Sequence, residues 1–491
     1  MAYANDKYKY SIDYKICPQT LNCPKQGQEM TDKIDISDKD GHFPTIRKTS
    51  NFVFWNRARI FIMFLSLVCM TLSQINSLTF TFTVICMDDV IEEHHRTNQS
   101  GLHFMESSTQ KGFLFSGIAI GATIGLLPAA PLISRFGIRK VLTLSGICSS
   151  LGALLFPIAV DSNMYFVFVC RILQGLGSSV IYTAVAVIPG IWSPRSEMGT
   201  FMAVLSCALQ ISNVICMSIS GILCESSLGW RSINYIFGAL TLGFYAVFFL
   251  TYKDSPTVHR NVSQKELSRI QDGKAEVKKR ESVPFKDIIF DKTVMTCVVS
   301  ALGGNLGFFM LVLYGPTYLK DVLQFDVRGT GFASALPHLL SAICKIVAAQ
   351  ISDRLTFVSE KTRFVFFASI SQFGMAVAFA ILAWTSSRLV AQIAYTFAIV
   401  LSGINVMGVI KCLQLRCRQH VHFGMTFVSL TANLIQLIGP IFVGILVPDN
   451  SAQQFAVLFY AICVITVITN IPFPFITTSE PAPFVIPKTL P

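Results

Sequence analysis

Hydrophobic residues along this chain gather into twelve long runs separated by polar stretches. The first six lie at about 60–85, 112–134, 140–160, 164–190, 199–222 and 232–252. The second six lie at about 293–315, 330–352, 363–384, 389–411, 424–446 and 454–475. Each comes close to the ~20 apolar residues that an α-helix needs to cross a bilayer. The pattern predicts an all-α membrane protein with twelve transmembrane helices in two pseudo-equivalent six-helix bundles. The expected divisions are a polar tail at 1–58, bundles at 59–252 and 293–475, a hydrophilic linker at 253–292 and a tail at 476–491. The first tail lacks helical or strand periodicity and reads as largely disordered.

Composition strengthens this picture. Hydrophobic residues make up 52% of the 491 and charged residues only 14%, so the apolar surplus must face lipid. The net charge of +11 could suggest a nucleic-acid partner. Its distribution points instead to cytoplasmic segments, because basic residues concentrate in the N-terminal tail and between Lys253 and Lys292. No nucleic acid is expected. Most of the 14 cysteines, among them Cys69, Cys148, Cys170, Cys207, Cys216, Cys297, Cys344 and Cys463, lie in apolar runs and read as small hydrophobes, not as a disulfide framework.

Charge also predicts orientation. The second-third loop carries Arg135, Arg139 and Lys140, and the eighth-ninth loop carries Arg354, Lys361 and Arg363. The first outer loop instead carries Asp88, Asp89, Glu92, Glu93 and Glu106. Both termini are therefore expected in the cytoplasm. The outer loop also holds Asn98-Gln99-Ser100, a glycosylation sequon, which works only on a lumenal or extracellular face. Asn261-Val262-Ser263 is a second formal match on the cytoplasmic side and is discounted. There Ser263 and Glu266 form a capping-box pattern that predicts a surface helix from Ser263 to about Arg280.

The chemistry begins at Arg171, inside the fourth run beside Gly175 and Gly177. A guanidinium stays charged at physiological pH, so within a membrane it must face water, a partner or a substrate. Arg171 is thus a candidate anion ligand, against the plainer alternative of an arginine bonded to neighbouring carbonyls. Lys345, inside the eighth run, could be a second cation of the site or could snorkel to a headgroup. Gln74, Asn76, Tyr182, Thr183, Asn305 and Asn405 are polar positions in apolar runs. Each is a pocket candidate or helix-helix glue. His338 could titrate near neutrality, though a hydrogen-bonding role near the outer face is favoured. The loop Pro131 to Lys140 and its counterpart Gln350 to Arg354 place Arg135, Arg139, Lys140, Asp353 and Arg354 at equivalent helix junctions. Such loops could latch the bundles in one state. No metal cluster, nucleotide-binding loop or catalytic triad is present in the sequence, so no metal, cofactor or enzymatic activity is expected.

Several segments resemble the organic-anion branch of the major facilitator superfamily, which includes sialin, the vesicular glutamate transporters and the type I sodium-phosphate cotransporters. They include Cys170-Arg171-Ile172-Leu173-Gln174-Gly175-Leu176-Gly177, Trp192-Ser193-Pro194-Arg195-Ser196-Glu197 and Gly229-Trp230-Arg231-Ser232. In the second half they include Pro316-Thr317-Tyr318-Leu319-Lys320-Asp321 and Ser334-Ala335-Leu336-Pro337-His338-Leu339. The resemblance implies alternating-access transport of small organic or inorganic anions, driven by protons, sodium or membrane potential. It also implies that Arg171 is a substrate-site residue and that the chain works as a monomer.

Departures from the family pattern refine that expectation. Ser178 stands where proton-coupled members carry a glutamate, Gln74 where an arginine is common, and Gly304 where the glutamate transporters have an arginine. Lys411, Cys412 and Gln414 replace an Asn-His-x-Asp pattern. A serine cannot titrate, so voltage, sodium or exchange is expected to drive transport more than strict proton coupling. The alternative is a transporter-like receptor that binds an anion without moving it.

Overall fold

A computed structural model describes residues 56–96, 103–194, 197–272, 285–354 and 357–485. Asn98 and most of the N-terminal tail lie outside the described residues, as do the side chains of Tyr182, Asp353 and Arg354. Twelve helices among the described residues are long and apolar enough to span a membrane. In the first half these are α1 Ala58–Thr83, α2 Ser108–Ala129, α3 Ile138–Ser162, α4 Met164–Val185, α5 Thr200–Glu225 and α6 Gly229–Thr251. The second half contributes α7 Lys292–Val322, α8 Val327–Ser352, α9 Glu360–Trp384, α10 Arg388–Cys417, α11 Phe423–Leu446 and α12 Ala452–Ile476. No strand occurs among the described residues. The expected all-α architecture of twelve spanning helices is what the chain forms.

Local chemistry sets the helix starts. Ser107 accepts the Gln110 amide, Asn163 the Phe166 amide at 2.9 Å and Asp291 the Val294 amide at 3.0 Å. Each satisfies a donor that the first turn leaves open. Between α2 and α3 the chain turns at Gly137, whose φ of 82° is a left-handed value that glycine tolerates. A side chain there would also strike the Asp254 carboxylate.

Packing of α2 on α4 positions the central arginine. Gly117, Gly121 and Gly125 recur every four residues and so line one face of α2. A Cβ at 121 would fall 2.1 Å from the Ile172 carbonyl oxygen. On the facing helix, a Cβ at 175 would fall 2.2 Å from the Ile118 carbonyl oxygen. The two backbones touch because both faces lack side chains at these points, the small-residue packing that membrane helices use.

Two features differ from the sequence expectations. Cys86, just beyond α1, and Cys224, in the last turn of α5, form a disulfide with Cα atoms 6.2 Å apart. Both sit where apolar runs end, whereas the cysteines within the runs are free. The linker helix, expected on the surface to about Arg280, spans Gln264–Gln271, and residues 273–284 lie outside the described residues. Its Ser263 cap is present, but Glu266 does not reach back to complete a capping box. It is buried and accepts the Ala58 and Arg59 amides at 3.0 Å each, closing the open start of α1. Arg59 pairs with Glu197 at 3.0 Å, and Arg269 pairs with the same carboxylate at 2.7 Å. Burial raises the Glu197 pKa, but the two arginines outweigh it and hold the carboxyl below its ordinary value.

Candidate functional site

The site lies where the two bundles face each other, and direct contacts between them cluster at one end. There Ser108 Oγ donates to the Pro448 carbonyl at 2.7 Å and Ser116 Oγ to the Leu437 carbonyl at 2.7 Å. Lys320 Nζ donates to the Ile85 carbonyl and lies 3.4 Å from Asp88, while the Arg328 amide donates to Glu225 at 2.9 Å. A cavity of about 120 Å³ sits among these contacts, with Lys111, Lys320, Asp88, Asp321 and Asn450 on its walls. The opposite end carries the cation-rich hairpin. Arg139 there bonds within its own bundle, from its amide to Asp254 at 2.9 Å and from Nε to the Phe249 carbonyl at 2.8 Å. Arg135 is exposed and lies over the Phe136 ring, and Lys140 is exposed. Among the described residues, the hairpin cations make no hydrogen bond to the second bundle.

A second cavity, of about 60 Å³, lies deeper between the bundles. The first bundle contributes Gln74, Ser77, Ser178, Ser179 and Asn213; the second contributes Ser429, Asn433 and Gln436, with Phe308 and Phe309 beside them. Its walls carry no ionised side chain.

Arg171 is one layer behind this cavity. It is fully buried, donating from Nη1 to the Ser77 carbonyl at 3.3 Å and to Gln174 Oε1 at 2.6 Å. Its Nε donates to the Leu114 carbonyl at 3.3 Å, and its guanidinium lies 4.9 Å from the Phe80 ring centre. Nη2 has no partner. Ser77 thus belongs to both environments, touching Arg171 through its carbonyl and lining the cavity.

The structure separates the remaining candidates. Gln74 lines the central cavity. Asn76 is buried on another face of α1, donating to Ser149 Oγ at 3.2 Å and Thr241 Oγ1 at 2.9 Å, which ties α1 to α3 and α6. Asn305 donates to Thr431 Oγ1 at 3.0 Å and so joins α7 to α11. Lys345 does not line the central cavity; its Nζ is 3.4 Å from Ser206 Oγ of α5, a contact between the bundles. His338 is buried against Phe308, and Lys411 Nζ is 3.3 Å from Ser352 Oγ. Asn213 and the α11 trio Ser429, Asn433 and Gln436 line the cavity too, and none of them is among the sequence candidates. Their signal was present: positions i, i+4 and i+7 share one face of a helix.

Two six-helix halves enclosing a polar cavity define a membrane carrier of the two-bundle kind. The chain belongs to the Major Facilitator Superfamily, whose family model matches residues 61–422. It is similar to sialin of Homo sapiens, 26% identical over 79% of each chain. It is also similar to a putative inorganic phosphate cotransporter of Drosophila melanogaster, 28% identical over 73% of this chain and 70% of the relative. Among solved structures, a D-xylose-proton symporter matches with a TM-score of 0.65 at 14% identity, covering 86% of this chain and 98% of that one. The last comparison speaks to the fold alone.

Proposed function

We propose that this protein is a secondary transporter of small anions working by alternating access. The observation that carries the reading is Arg171, a buried guanidinium one residue behind the central cavity with one nitrogen unpaired. A fixed cation in a low-dielectric surrounding attracts an anion more strongly than the same charge in water. The names of the relatives, sialin and an inorganic phosphate cotransporter, agree with an anionic substrate. Binding would draw Arg171 toward the cavity or bring the anion against Ser77. The cross-bundle contacts at the α1–α2 end would break as the bundles rock.

The linker and both termini are assigned to the cytoplasm. The Cys86–Cys224 disulfide at the opposite end supports this orientation, since disulfides persist on oxidising faces. The hairpin cations Arg135, Arg139 and Lys140 would meet the second bundle, and Asp353 and Arg354 at the equivalent junction of that bundle would meet the first, when the cytoplasmic end closes. Coupling is assigned to voltage, sodium or exchange, since Ser178 on the cavity wall cannot titrate.

The test is uptake of labelled anions into liposomes holding the purified protein under an imposed potential, with Arg171→Ala and Arg171→Lys alongside. Potential-driven uptake that is lost in Arg171→Ala and partly kept in Arg171→Lys supports the reading, provided both variants remain monodisperse. Saturable anion binding without uptake would move the assignment to a receptor.

A further inference from the structure

Four amide side chains converge on the central cavity, two from each bundle: Gln74 and Asn213, then Asn433 and Gln436. Among the described residues, Gln74, Asn433 and Gln436 make no hydrogen bond to the protein. Asn213 is 2% exposed, donates to its own helix at the Leu209 carbonyl at 2.8 Å and leaves Oδ1 without a partner. A buried amide normally has its hydrogen bonds filled, so the open Asn213 Oδ1 calls for an occupant, and the half-buried Gln74, Asn433 and Gln436 present further amides to the same cavity. Amides both donate and accept. The group that answers both at once is a hydroxyl, which also donates and accepts, whereas a bare oxyanion only accepts. Phe308 and Phe309 add an apolar wall suited to a carbon skeleton.

We infer that these amides form a cradle for the hydroxyl groups of the solute, so that the chain prefers a hydroxylated organic anion to an inorganic one. Asn433 and Gln436 are its specificity-determining residues on the second bundle. Resting on the anion-transport reading, the inference divides the work: Arg171 takes the charge and the cradle takes the body of the substrate. Helix α11 presents both amides on one face. They would therefore leave the first-bundle amides together when the bundles rock, which lets the solute go.

The experiment uses the full chain in proteoliposomes, with labelled gluconate as the probe. Unlabelled gluconate, phosphate and hexanoate, the last a six-carbon acid without hydroxyls, serve as competitors. Wild type is expected to be inhibited by gluconate at roughly tenfold lower concentration than by hexanoate or phosphate, the size of two lost hydrogen bonds. In Asn433→Ala/Gln436→Ala, that ratio should fall toward one. The hexanoate comparison needs no variant, so misfolding cannot obscure it. Equal inhibition by gluconate and hexanoate in wild type overturns the cradle, as does absence of gluconate uptake and binding. Uptake that needs Arg171 but shows no preference for hydroxyls sinks the cradle and leaves the anion reading standing. A gluconate preference in uptake indifferent to Arg171→Ala does the reverse.

Discussion

At the scale of single residues, position on a helix decides what a polar side chain can do. Gln74 and Asn76 look alike in the sequence, two amides in one apolar run. Yet residues two apart on an α-helix are separated by about 200° and cannot face the same space. The structure sends Gln74 to the cavity and Asn76 into the interior of the first bundle, bonded to Ser149 and Thr241. Their substitutions should therefore separate cleanly. Asn76→Ala removes two buried hydrogen bonds and is expected to destabilise the protein by about 1–3 kcal/mol, seen as a lower Tm. Gln74→Ala is expected to leave Tm in place and raise KM for the transported anion several-fold. If both variants lowered Tm equally, the two faces would not be distinct. Arg171 shows the same limit of sequence reading. Its burial at membrane depth was legible because an arginine in an apolar run is conspicuous. The Ser77 and Leu114 carbonyls that hold it were not, because they come from α1 and α2 across the fold.

Helices are legible from the sequence where their cause is local. The twelve spans follow from run length alone, and the Ser263 cap from a four-residue pattern. The fate of Glu266 was not legible. A capping box pairs neighbours in sequence, but this carboxylate meets the start of α1, 207 residues away. Nor could the sequence show that the glycines of α2 meet α4, since a glycine in a membrane helix can equally face open space, as Gly243 of α6 does. Contact geometry makes the α2–α4 pair testable. Gly121→Ala would place a methyl 2.1 Å from the Ile172 carbonyl oxygen, and backbone cannot rotate away as a side chain can. The helices must separate, disturbing the packing beside Arg171. The expected loss is about 1–3 kcal/mol, with reduced transport. Gly243→Ala, with nothing within 4 Å, is the control and should match wild type in Tm. Equal effects of the two would remove the close contact as the explanation.

The coupling of the whole molecule depends on what the moving cavity can carry with the solute. A proton-coupled carrier needs a group that gains and loses a proton as the cavity changes sides, and the central cavity lacks one on its walls. Ser178 stands at the position where that group would be most effective. It lies on the cavity wall, seven residues and hence about two turns from Arg171 on the same helix. Uptake by wild type at a clamped potential is therefore expected to be unchanged when a pH gradient is imposed. Ser178→Glu should confer the missing property. A carboxyl there can bind and release a proton as the bundles expose it to either side. With that residue present, an inward proton gradient should accelerate anion uptake, and dissipating the gradient with an ionophore should remove the gain. Gradient-driven uptake by wild type would show that another titrating group moves with the substrate. Lys111 and Asp321, both on the walls of the cavity at the α1–α2 end, would be the first place to look for it.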